Sequence, residues 1–169
     1  MSAPTPEQLL EFEYQWDDAL TRYFTNVLAP YSQLQVYAFH SNEGPTVPRL
    51  QIKCTSGTQD TQGEGIFAMV GNPRTPQDRM ATIELQLYTR RTEPGQDPNP
   101  TLGVLRRFML SHFGDINAYL TYLIIMGLDE VSTLRGTTQG GDGKRIDISS
   151  ITYHVRFAIQ PQYQSILLT

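Results

Sequence analysis

The residues that come nearest to a cofactor motif in this chain are Gly63-Glu64-Gly65-Ile66-Phe67-Ala68, a match to G-x-G-x-x-A. Glu84 follows at about the distance of a ribose-binding acid. Such a turn works by aiming backbone N–H groups at a pyrophosphate, so it needs an apolar strand before it and a helix N-terminus after it. The surrounding residues supply neither. Residues 55–62 are polar, and Gly71-Asn72-Pro73 breaks any helix that would follow. The motif therefore reads as a loop. A second candidate, Gly136-Thr137-Thr138-Gln139-Gly140-Gly141-Asp142-Gly143-Lys144, has the composition of a phosphate cradle. It lacks the leading glycine at the required spacing, and Arg145 stands where a serine or threonine would hold magnesium. Strand periodicity resumes after it, so it reads as the tip of a hairpin.

Titratable and nucleophilic residues give no constellation. His40, His112 and His154 are not at metal-ligand spacing, and none lies in an H-E-x-x-H arrangement. No G-x-S-x-G elbow presents a serine. Asp17 and Asp18 are helix neighbours whose side chains diverge by about 100°, which suits a solvated face rather than paired acid–base chemistry. Cys54 is the single cysteine, which excludes an internal disulfide and any multi-cysteine zinc site. It alternates in phase with Leu50 and Ile52 and reads as a small buried hydrophobe. No catalytic, cofactor-binding or metal-binding residue is assigned, and no cofactor is expected.

The elements that position these residues fit one domain over residues 1–169, with a globular core at 5–160 and an extended tail at 161–169. The apolar share is 39% and the charged share 18%, with amides and hydroxyls making up the polar remainder. Such surfaces are cheaper to desolvate than charged ones, as befits a subunit of an assembly. The net charge of −4 argues against a protein that coats DNA. The basic doublets Arg90–Arg91, Arg106–Arg107 and Lys144–Arg145 are scattered, like solvated edges. Residues 1–6 carry neither the basic nor the apolar part of a secretory signal, and the longest apolar run, 122–126, is far short of a membrane span.

Thr5-Pro6-Glu7-Gln8 starts a helix: Thr5 caps, Pro6 suits the first turn and Gln8 closes a capping box. Leu9, Phe12, Trp16, Leu20, Tyr23 and Val27 give one apolar stripe, predicting a helix over 6–29 that Pro30 ends. Leu34, Val36 and Ala38 alternate, as do Leu50, Ile52 and Cys54, around a turn at 41–45. Residues 55–65 read as a loop, and 66–70 as a short apolar segment. Ile83, Leu85 and Leu87 alternate with Glu84, Gln86 and Tyr88 in a strand over 80–90, central in its sheet and wetter on one face. A polar linker at 91–100 leads into a helix starting near residues 99–101 and carrying Leu102, Leu105, Phe108 or Met109, and His112, with Gly114 as its stop. Asp115 then caps a short third helix to about residue 123. Strands at 124–135 and 144–159 flank the tip at 136–143.

Ile146 and Ile148 have one parity, whereas Ile151, Tyr153, Val155, Phe157 and Ile159 have the other. The last strand therefore bulges near Ser149–Ser150 or passes its apolar side from one layer to another. The fold class is α+β: a mainly antiparallel sheet, a long N-terminal helix and a second helix packed on one face, and a closing β-hairpin.

This order of elements resembles the tail-terminator and tail-completion (neck) proteins of tailed bacteriophages. The likeness runs over residues 5–160. It rests on the opening helix from Pro6 to Ala29, the strands Val47-Pro48-Arg49-Leu50-Gln51-Ile52 and Ala81-Thr82-Ile83-Glu84-Leu85-Gln86-Leu87-Tyr88, the helix Leu102-Gly103-Val104-Leu105-Arg106-Arg107-Phe108, and the close Tyr153-His154-Val155-Arg156-Phe157-Ala158-Ile159. The resemblance implies a virion protein that forms a ring, commonly a hexamer, on the last layer of tail-tube protein. Its other face would meet the head connector, and DNA would pass through the centre without sequence-specific binding. Another tail, baseplate or capsid-accessory role, or a small ligand- or peptide-binding module, is the alternative. On loop length, the contacts between copies are expected at Gly136, Gln139, Gly140, Gly141 and Lys144 of the hairpin tip and at Ile166, Leu167 and Leu168 of the tail. Axial contacts are expected at Thr58, Gln59, Arg91, Glu93 and Asp97. The loop at 55–65 and the tail after Pro161 have no counterpart in that family.

Overall fold

The computed structural model describes residues 3–30, 34–38, 47–56 and 79–168. The turn at 41–45, the glycine motif at 63–68, the segment at 66–70, His40, Thr58 and Gln59 lie outside the described residues. The fold is α+β. Helices α1 (Pro6–Leu10) and α2 (Phe12–Val27) precede strands β1 (Gln35–Ala38), β2 (Arg49–Ser56) and β3 (Arg79–Thr89). Helix α3 (Pro98–Ser111) and a 3₁₀ helix (Phe113–Tyr119) lead to β4 (Leu123–Gln139) and β5 (Arg145–Ile159), and a second 3₁₀ helix (Pro161–Leu168) comes last. The five-stranded sheet has the order β1-β2-β3-β5-β4, parallel between β1 and β2 and antiparallel elsewhere. As the alternation predicted, β3 is the central strand.

The capping box forms as expected. Thr5 Oγ1 accepts from the Gln8 N–H at 3.2 Å, and the Gln8 side chain accepts from the Thr5 N–H at 2.9 Å. The single helix expected over 6–29 is instead two, broken at Glu11, whose ψ of 72° leaves the helical range. The Gln15 amide Nε2 stabilises the break by donating to the carbonyls of Gln8 and Glu11 at 3.1 and 3.4 Å, groups that a broken helix leaves orphaned. The turn of helix released in this way packs on the C-terminal 3₁₀ helix.

The core is one layer of helix on one face of the sheet. Ile83, Leu85 and Leu87 of β3 pair in register with Tyr153, Ile151 and Ser149 of β5, and all are buried on this face. Phe12 and Trp16 meet Phe157 edge-on at centroid distances of 5.1 and 5.4 Å. Truncating a fully buried tryptophan such as Trp16 costs roughly 3–5 kcal/mol. Helix α3, capped by Asp97 Oδ1 accepting from the Asn99 N–H at 3.1 Å, buries Leu102, Leu105 and Met109. It reaches α2 through Phe108 and Tyr23. Asp115 does not cap the segment after α3: it lies inside a 3₁₀ helix that has no side-chain cap.

The last strand exchanges layers and does not bulge. β3 and β5 pair without a register shift from Arg79–Phe157 to Thr89–Asp147. Ile151, Tyr153, Val155, Phe157 and Ile159 face the helices, whereas Ile146 lies on the opposite side, close to Gly140. The bulges lie in β4, where seventeen residues face the fifteen of β5. The surplus is taken up at Met126 and Val131, and each bulge reverses the parity of the residues beyond it. The residues after Ile159 are not the extended tail expected from sequence. They form a 3₁₀ helix, because Gln164 Nε2 donates to the Ile159 carbonyl at 3.0 Å and Tyr163 meets Tyr122 edge-on at 5.2 Å. Ile166 packs against the core.

Candidate functional site

The sheet ends on one side in β1, four residues long, and on the other in β4, seventeen residues long. Residues 131–139 of β4 are all exposed. Six large hydrophobics are exposed among the described residues, and four of them, Ile124, Met126, Val131 and Leu134, belong to β4. Met126 and Val131 are the two bulge residues, without a partner on β5, and Leu134 lies opposite Ser150 on the face away from the described helices. An edge strand offers unpaired backbone groups to any partner strand, and proteins usually blunt it with charge, proline or a cover. From Ser132 to Gln139 this edge holds one charge, Arg135, and no proline, and its pairing with β5 there is regular. That stretch, with its apolar residues, is the candidate site.

Of the residues expected to meet another copy, Gly136 and Gln139 lie on this edge. Gly140, Gly141 and Lys144 form the turn. The turn is tighter than the 136–143 loop expected: Gly136 to Gln139 pair with Ile148 to Arg145, leaving five residues to reverse the chain. The Gly140 N–H donates to the Lys144 carbonyl at 2.9 Å, and Gly143 takes a φ of 76°, where a side chain would be strained. The backbone N–H of Lys144, helped by Arg90, holds the Asp142 carboxyl below its ordinary range. Ile166 is not beside this group, since it belongs to the 3₁₀ helix that packs near α1. The side chains of Leu167 and Leu168 lie outside the described residues. Arg91, Glu93 and Asp97, expected as axial contacts, precede α3, with Asp97 serving as its cap.

Each end of β4 carries a recess. Near the turn, one of about 280 Å³ is bordered by Arg91, Arg135, Arg145, Thr137 and Asp147. Asp147 is buried, with Arg145 at 2.9 Å and Arg91 at 3.9 Å. Arg135 donates to the Asn99 side chain at 2.7 Å. Two guanidiniums thus share the Asp147 carboxylate, and that of Arg135 borders the same recess without an ion-pair partner among the described residues. At the start of β4, a recess of about 310 Å³ is bordered by Glu11, Gln15, Asp18, Tyr119 and Tyr122. On its rim Arg22 pairs with Asp18 at 3.4 Å and lies 5.5 Å from the Tyr119 ring centroid. No periodicity in the sequence marks either recess, since the first gathers residues from three separate segments and the second from two.

The two described histidines are not gathered. His112 caps α3 at its C-terminal end beside Asp115 (3.9 Å), and His154 lies in β5 between Thr82 and Asp129. Among the described residues no group of three or more His, Cys, Asp or Glu side chains could hold a metal ion. Cys54 is buried, as its alternation predicted. Compared with protein-family profiles and with curated proteins, the chain finds no match in either.

Proposed function

We propose that this chain is a structural subunit of a virion, of the tail-terminator or neck class, that closes into a ring on the tail tube and joins it to the head connector. The observation that carries the reading is the long edge of β4, left unblunted and fringed with exposed apolar side chains. A ring requires one surface of each copy to meet a different surface of the next, and strand addition along an open edge is an economical way to make that contact. The amide-rich surface and net charge of −4 suit a conduit that DNA must leave freely.

Native mass spectrometry and light scattering of the purified chain, alone and with tail tubes, test the reading. The expected result is a closed oligomer, six copies in the hexameric case, or a monomer that assembles only on tube ends. A chain that stays monomeric and ignores tail tubes overturns the proposal. The same edge would accept an extended peptide, and a monomer that takes up one peptide strand would favour a peptide-binding module instead.

A further inference from the structure

The two recesses differ in charge and lie at opposite ends of one strand. Leu123 pairs with Ile159, and Arg135 pairs with Ser149. Ten steps along β5 separate these pairs, roughly 33 Å at about 3.3 Å per residue. Both recesses open on the helix side of the sheet: Arg135 and Asp147 share the face of Ile151 and Tyr153, and the other recess is bounded by α2 and the segment just before β4. At the turn end, three arginines and one carboxylate line the recess, two of the arginines paired with that carboxylate, and exposed Lys144 precedes Arg145. At the start of β4, Glu11 and Asp18 line the recess, exposed Glu7 lies one helical turn away, and Arg22 is the cation on the rim.

We propose that the acidic recess is a receptor for cationic side chains, and that its occupant is the arginine- and lysine-bearing turn end of a second copy of this chain. The inference rests on the ring reading above and names the contact that would close it. The recess offers what a guanidinium or ammonium group requires: two carboxylates for charge-assisted hydrogen bonds and two tyrosine rings whose faces attract cations. Arg22, seated between Asp18 and Tyr119, shows the same preference within one chain. The excess positive charge at one end and the excess negative charge at the other are complementary. Because a single chain's two ends are held apart by the rigid sheet, they meet only between copies. A contact of one end with the other end of the next copy is heterologous, as a ring demands.

Charge reversal tests the contact on the full chain. One variant carries Arg135→Glu and Lys144→Glu, which leave the Arg91 and Arg145 pairs with Asp147 in place. The other carries Glu11→Lys and Asp18→Lys. Circular dichroism and urea unfolding verify that both remain folded, and light scattering over a dilution series reads association. Each variant alone is expected to associate about tenfold or more weakly than the natural sequence at low salt, and natural association should weaken as salt screens exposed charges. An equimolar mixture of the two variants is expected to regain association, since every interface then joins opposite charges. If the natural chain forms closed oligomers and folded reversed variants do so equally well, the contact is wrong and the ring reading stands. If the natural chain associates neither alone nor on tail tubes, both fall. If it stops at a dimer that the reversals disrupt and the mixture restores, the contact stands and the ring does not.

Discussion

Replacing Leu134 and Val131 by serine should weaken association while leaving the monomer's stability almost untouched. In the single chain Leu134 is 67% and Val131 50% exposed. Fully burying such a side chain is worth about 1.5–3 kcal/mol. Scaled by the surface still in water, Leu134 can gain about 1–2 kcal/mol from a partner and Val131 about 1 kcal/mol. Together they contribute about 2–3 kcal/mol, or a roughly 30- to 150-fold change in dissociation constant. Exposed positions change folding stability by only about 0.5 kcal/mol. Light scattering across a dilution series measures the first quantity, and urea unfolding of the same preparation measures the second. The reasoning is refuted if the doubly substituted chain associates within twofold of the natural one. A fall of more than about 1 kcal/mol in unfolding free energy would show that these side chains pack inside the monomer, which would remove the edge as a candidate.

Two further expectations concern the core beneath that edge. The Tyr153 hydroxyl is buried, with no hydrogen-bond partner among the described residues; burial, reinforced by Glu130, raises its pKa. Tyr153→Phe should be neutral or stabilising by about 1 kcal/mol, raising Tm by about 2–4 °C; a loss of more than about 1 kcal/mol would show that the hydroxyl has a partner in solution. Burial first, then Asp115 and Tyr119, push Tyr23 from 10.0 up to about 12. Because the folded state holds this proton more tightly, its contribution is intact below the unfolded value near 10 and about 2–3 kcal/mol is lost as pH rises to about 12. Urea midpoints across that window should fall less steeply in Tyr23→Phe, and an unchanged slope contradicts the assignment.

The fold was legible wherever a local signal coincided with burial. The Thr5–Gln8 box, the stripe from Leu9 to Tyr23 and the alternation of Ile83, Leu85 and Leu87 each specify both an element and its inner face. The break at Glu11 had no such signal, for no glycine or proline stands there. It depends on Gln15 reaching back across a turn and on a C-terminal helix that docks beside α1. That helix was unreadable for a related reason: the polar run Gln160-Pro161-Gln162 looks like tail, yet the Gln160 and Gln164 amides donate to the distant Leu123 carbonyl and to that of Ile159, and Tyr163 packs against Tyr122.

The candidate site shows why function lags further behind. Strand alternation assigns faces on the assumption of an unbroken pleat, and β4 breaks it twice. Without bulges, Ile125 and Val131 would share one parity and so belong to one face. In the fold Ile125 is buried and Val131 is half exposed: the first bulge reverses the parity, so that Leu128 and Glu130 share the face of Val155 and Tyr153, and the second bulge restores it. Beyond the second bulge the faces are those of an unbroken count from Ile125, with Arg135 opposite Ser149 and Leu134 opposite Ser150. The two inserted residues change the partner and not the face: each moves the residues beyond it one place along β5, and Met126 and Val131 themselves are left exposed. A deletion of Val131 would remove the extra residue and leave Ser132 to Gln139 on their present β5 partners, so Leu134 and Arg135 would keep their faces and the edge would lose only one exposed apolar side chain.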